Sequence, residues 1–193
     1  MSRVITPRRK KGFSFPVHRR EVYLTESAFL NLVVSTIEVN PKETYGVLLG
    51  YRERNRYIID YAIPYQTAER HTSFVYRDES AHERMVRFLD ELAKVRPIGD
   101  FHSHPNTYVK ASPEDKEQMS SSEVYIIVGA SRKVREVPWS YNKDGTLSGT
   151  TSDFMIKICA YYPVDIEKKT IRYAPVFCPF AIGYRRPLTG PID

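Results

Sequence analysis

The sequence predicts a mixed α/β (α+β) domain built around one sheet. Three observations carry that expectation. Apolar runs of strand length recur, most clearly over 45–51 and 124–128. Two helical periodicities, over 26–38 and from 78 or 80 to 94, sit between such runs. Strand and helix patterns therefore alternate, as in a domain with helices packed on a sheet.

In order, residues 21–24 read as a short strand. Thr25, with Ser27 as the alternative, caps a helix over 26–38 with Phe29, Leu30, Leu32, Val33, Val34 and Ile37 as its buried stripe. Asn40-Pro41 stops it. The strand over 45–51 is closed by glycine and turns at Glu53-Arg54-Asn55 into a hairpin partner over 56–63. A polar loop over 64–73 leads to a short strand at 74–76. The second helix, from Asp78 or Ser80 to Lys94, turns Met85, Val86, Leu89 and Leu92 inward, and Pro97 ends that region. A strand over 98–104, a loop and a helix opening at Ser112 follow. The run over 124–128 belongs in the middle of a sheet. A further strand is expected over 134–141, before the turn Asn142-Lys143-Asp144-Gly145. Residues 154–162 fit strand or helix, and 171–173 fit a strand. The end, from Pro179, holds too much Pro and Gly for regular structure.

At 193 residues, with 41% hydrophobic and 27% charged, the chain suits one soluble domain with a real core. No apolar run reaches membrane-spanning length, and no apolar segment follows the basic start to make a secretory signal. Only Cys159 and Cys178 are present, which fits reduced thiols and a cytoplasmic setting. The net charge of +6 is local: seven of the 29 basic residues lie in residues 1–20, leaving 22 against 23 acids. Residues 1–20 are read as a disordered basic arm, 21–185 as one domain and 186–193 as a tail. Nucleic acid is not expected as a partner, nor is a membrane.

The segment 98–119 holds the chemistry. His102 and His104 lie two apart on a strand and so share a face, with Phe101 and Ser103 on the other. Pro105 then breaks the strand. Ser112-Pro113-Glu114-Asp115 is a helix start, with Ser as N-cap, Pro next and acids in the first turn. Alone, that tetrapeptide is a cap and a histidine pair is surface or core. Together they bring two imidazoles and a carboxylate to one strand end, a ligand set suited to zinc. Asp100 shares the face of His102; it can orient an imidazole or be a strand-end charge.

His102-Ser103-His104-Pro105, seven residues from Pro105 to Ala111, then Ser112, two residues and Asp115 match the H-x-H-x7-S-x2-D signature. The chain thereby resembles the JAMM (MPN+/JAB/Mov34) zinc metalloproteases, in their stand-alone prokaryotic form, over about residues 21–150. Those enzymes have a glutamate before a glycine-rich strand, and Glu43 before Gly46 and Gly50 looks like that element. The resemblance implies a cytidine-deaminase-like fold with a central mixed sheet flanked by helices. It implies one catalytic zinc with bound water on His102, His104 and Asp115. Glu43 would be the acid/base residue, and Ser112 would stabilise the tetrahedral intermediate. Capping and oxyanion donation compete for the one Ser112 side chain. The implied substrate is a ubiquitin-like or sulfur-carrier protein, cut at an amide bond at or near its C-terminal tail. The tail would lie as an added strand between 65–73 and 141–152. A homodimer stays open. The competing classes are a non-catalytic interaction module of the same fold and a nucleic-acid-associated protein using the arm. A zinc deaminase is disfavoured because P-C-x-x-C is absent.

Overall fold

A computed structural model describes residues 20–76, 78–92, 96–119 and 123–183. The basic arm, apart from Arg20, and the tail over 186–193 lie outside them. Arg20 itself is half-buried: it donates to the Tyr57 hydroxyl and lies over the Tyr162 ring.

The chain order is β1 (Glu21–Leu24), α1 (Glu26–Val39), β2 (Tyr45–Glu53), β3 (Arg56–Pro64), β4 (Glu69–Arg70), β5 (Val75–Tyr76) and α2 (Glu79–Leu92). Then come β6 (Arg96–His104), α3 (Pro113–Gln118), β7 (Val124–Arg132), β8 (Ser140–Tyr141), β9 (Leu147–Thr151), β10 (Phe154–Asp165), β11 (Thr170–Ala174) and β12 (Val176–Phe177). Among the described residues, ten strands form one mixed sheet in the order β12-β1-β3-β2-β6-β7-β10-β9-β8, with β11 also on β10. β6 and β7 run parallel, as do β1 with β3 and β1 with β12. The two ends of the sheet approach one another: the Val176 amide donates to the Gly145 carbonyl, and the Cys178 amide to the Tyr141 hydroxyl.

Alternation along the strands gives the sheet two apolar faces. One face, with Leu48, Phe101, Ile126, Val128, Ile156 and Ile158, packs against α1. The other, with Tyr45, Val47, Tyr125, Ile127, Cys159 and Tyr161, carries the candidate site at its strand end and receives Met85 and Leu89 of α2. Thr25 caps α1 as expected, its oxygen accepting from the Ala28 amide. The α1 stripe differs from expectation. Leu30 and Val34 are exposed, while Ser35 and Thr36 are buried beside Leu32 and Val33. Positions four apart share a face, and these two share the outer one. In α2, Leu92 is likewise exposed.

Three other expectations change. Pro97 lies inside β6 rather than ending the region before it. The strand over 134–141 shrinks to Ser140–Tyr141. Val137 still exchanges with Thr150, whose amide donates to the Val137 carbonyl, but Pro138 has no amide to continue the ladder. Trp139 instead lies on Gly149, where an added Cβ would come within 2.6 Å of the indole. The segment 154–162 is strand, extended to Asp165.

Candidate metal centre

β6 lies between β2 and β7, so its site-face residues are flanked on both sides. His102 pairs with Tyr45 of β2 and with Ile127 of β7. Phe101 faces the α1 side, as alternation requires. Beyond Pro105 the chain folds back over β7. Gly129 permits this: an added Cβ there would lie 2.5 Å from the Asn106 carbonyl oxygen. Tyr161 of β10 then pins the return. Its hydroxyl donates to the Val109 carbonyl at 2.7 Å and accepts from the Ala111 amide at 3.1 Å. That path delivers Ser112 as the N-cap of α3.

The cap is reciprocal. Ser112 Oγ accepts from the Asp115 amide at 3.0 Å, and Asp115 Oδ2 accepts from the Ser112 amide at 2.7 Å. A shorter acid thus takes the Glu position of the capping box. The clamp leaves Asp115 Oδ1 aimed at His102 Nε2, 3.2 Å away. His104 Nε2 is 2.8 Å from His102 Nε2 and 3.8 Å from Asp115 Oδ2. One ligand atom from each of the three residues lies within 4.8 Å of the others.

The other ring nitrogens are occupied. His104 Nδ1 donates to the Tyr108 carbonyl at 2.6 Å, which turns Nε2 towards His102 and Asp115. His102 Nδ1 is 3.1 Å from the Tyr125 hydroxyl. Burial pushes the His102 imidazole down to about 4, helped by His104 and opposed by Asp115, so the ring is neutral at physiological pH. Two imidazole nitrogens and a carboxylate oxygen fit a divalent ion with nitrogen and oxygen ligands. His102, His104 and Asp115 can therefore hold a metal.

Glu43 precedes β2 and is buried. Continuing the register from the Tyr45–His102 pair sets Glu43 opposite His104, on the site face. The Ser103 amide donates to the Thr44 carbonyl at 3.0 Å, and Ser103 Oγ accepts from the Thr44 amide at 2.9 Å. The Glu43 amide donates to the His71 carbonyl at 2.8 Å, hooking the β4–β5 hairpin to the site. Burial first, and Asp115 second, push the Glu43 carboxyl up to about 7.

All five sequence-predicted residues thus lie at one end of β6. Sequence reasoning missed Ser103, which holds the Glu43 segment, and Tyr125. Tyr125 is almost wholly buried in the aliphatic run that opens β7, Val124 to Val128. A phenol there needs a partner, and that was the available signal. Asp100 is buried within β6, paired in register with Tyr125, and is no strand-end charge. Ser112 resolves its expected conflict: capping uses an oxygen lone pair, and the hydroxyl proton remains a separate donor.

Fold and centre define a protein with a His-His-Asp group that could hold a metal at the end of a central parallel strand pair. Residues 25–141 match the model for prokaryotic homologs of the JAB domain, and the chain belongs to that family. The fold is similar to the solution structure of a protein from Desulfitobacterium hafniense. The identity is 15% and the TM-score 0.57, over 81% of this chain and 92% of that one. No curated protein matches the chain in sequence. No helix among the described residues is long and apolar enough to cross a membrane.

Proposed function

We propose that the protein is a zinc metallo(iso)peptidase that hydrolyses an amide bond at or near the C-terminus of a ubiquitin-like or sulfur-carrier protein. The observation that carries this reading is the placing of Glu43 opposite His104, within electrostatic reach of Asp115. A metal-storage or purely structural site has no need for a second carboxyl beside its ligands.

Zinc on His102, His104 and Asp115 would supply Lewis acidity, acidifying water and polarising the amide carbonyl. Glu43 takes a proton from the attacking water and returns it to the departing amine. Its raised value, about 7, suits a group that must both accept and release a proton near neutrality. Ser112 keeps its hydroxyl proton for the developing oxyanion, while its oxygen stays locked to the Asp115 amide. Asp115 is held in place by that cap and by the Ser112 amide.

The substrate class rests on the family and on the ground around the site. Thr107, Tyr108, Val109, Lys110, Asp144 and Thr146 line a cleft of about 380 Å³ beside the His104 loop. The β4–β5 hairpin stands on the Glu43 side. The fold reading extends to the cytidine-deaminase-like class, and the two free, buried cysteines suit the cytoplasm.

The test combines metal analysis with an assay on ubiquitin-like fusions carrying C-terminal extensions. Stoichiometric zinc and cleavage abolished by a chelator support the reading. A protein that stays metal-free at saturating zinc would instead be a non-catalytic interaction module. Glu43→Gln should keep zinc and lose turnover by about 10²-fold or more. Near-normal hydrolysis by that variant would remove Glu43 from the mechanism.

A further inference from the structure

His102 is enclosed by phenols from both neighbouring strands. Tyr45 is its cross-strand partner on β2, and Tyr125 stands on β7 opposite Asp100, one step back on the same face. Both tyrosines are buried, and their side chains hydrogen-bond to each other. They therefore close a bridge beneath the imidazole, on the side away from Asp115. Tyr125 Oη is 3.1 Å from His102 Nδ1. The outer end of the bridge is also fixed: the Tyr45 ring stacks on Tyr65, whose hydroxyl bonds His82 of α2.

We infer that Tyr125 is a positioning residue for the metal, holding His102 so that Nε2 alone is presented to the ion. The inference rests on the metal reading above, but it concerns this chain's own side chains. An imidazole that ligates through Nε2 carries its proton on Nδ1, and on a ring as buried as His102 that proton needs a protein acceptor. The Tyr125 oxygen is that acceptor. Its own hydroxyl is oriented by Tyr45, so the two-tyrosine bridge sets ring angle and tautomer together. His104 obtains the same service from the Tyr108 carbonyl, a backbone group that no substitution of side chain removes. Of the two imidazoles, His102 is thus the one whose orientation depends on a side chain.

The test is zinc affinity of the full chain, read by competition with a chromophoric chelator. Tyr125→Phe keeps the ring and removes the hydroxyl, and so both the acceptor for His102 and the bond to Tyr45; affinity should fall about 10- to 100-fold. Tyr45→Phe removes the Tyr45–Tyr125 bond but keeps the Tyr125 hydroxyl beside His102 Nδ1, and should cost less than Tyr125→Phe. In zinc-loaded wild type, nitrogen-15 NMR should show His102 protonated on Nδ1, with that proton protected from solvent exchange. Tyr125→Phe should abolish the protection, a change that loss of packing alone would not select. Wild-type affinity in Tyr125→Phe overturns the inference and leaves the peptidase reading standing. So does ligation through Nδ1 in the wild type, which keeps the test decisive even where the variant fails to fold. A wild type that binds no zinc overturns both.

Discussion

Glu43 joins chemistry to stability at the scale of one residue. Its carboxyl stands at about 7 in the fold against an ordinary value of 4.5. Below about 4.5 it is protonated folded or unfolded and imposes nothing. As pH rises towards 7 the unfolded chain ionises freely while the folded one resists, so stability is lost across that window. Metal-free Glu43→Gln should therefore exceed metal-free wild type by on the order of 3 kcal/mol at pH 8, and by little at pH 4.5, in urea unfolding. Equal stabilities at pH 8 would show that the carboxyl is not strained. Ser112→Ala should lose about 1 kcal/mol of stability through the cap and roughly 10²–10³ in rate through the donor. Ser112→Asn should restore the stability, because Asn also caps, without restoring the rate. The metal donors were legible because a two-residue strand period and a helix cap are local rules. Tyr125 was not, since its partner lies on another strand and no spacing encodes that.

Among the elements, the return loop between β6 and α3 decides whether the donors meet. Tyr161→Phe removes both hydrogen bonds that pin Val109 and Ala111. It should cost about 1–3 kcal/mol and leave an orphaned Val109 carbonyl. Hydrogen exchange over 108–112 should accelerate more than exchange in β7, and uniform acceleration would mean a general loss of packing instead. Gly129→Val should push the Asn106 segment off β7, weakening metal binding while β6 stays paired. Element boundaries were readable where cap and turn chemistry is local, at Thr25, Asn55 and Gly145. Gly145 adopts φ 85°, which favours glycine. They were unreadable where tertiary packing intervened. β9, Leu-Ser-Gly-Thr-Thr, shows no apolar alternation, because Trp139 supplies the bulk that Gly149 lacks. The expected strand over 134–141 failed for the complementary reason, at Pro138.

For the molecule as a whole, metal and fold should be linked. Zinc at 100 times its dissociation constant stabilises by about 2.7 kcal/mol if it binds the folded chain alone. A chelator should lower the melting temperature accordingly, and His104→Ala should melt at the metal-free temperature with or without zinc. The class of the fold was legible, since alternating patterns require helices on a sheet. Its strand order was not. Parallel pairing of β1 with β3 and β12 joins segments far apart in sequence, and no short-range signal marks such partners. That pairing also orders events in time. The seam between Val22 and Val176 is sewn with almost the last described segment. A chain still emerging from the ribosome holds His102, His104 and Asp115 well before it reaches Val176, and until then its first strand offers a bare flank to any passing strand.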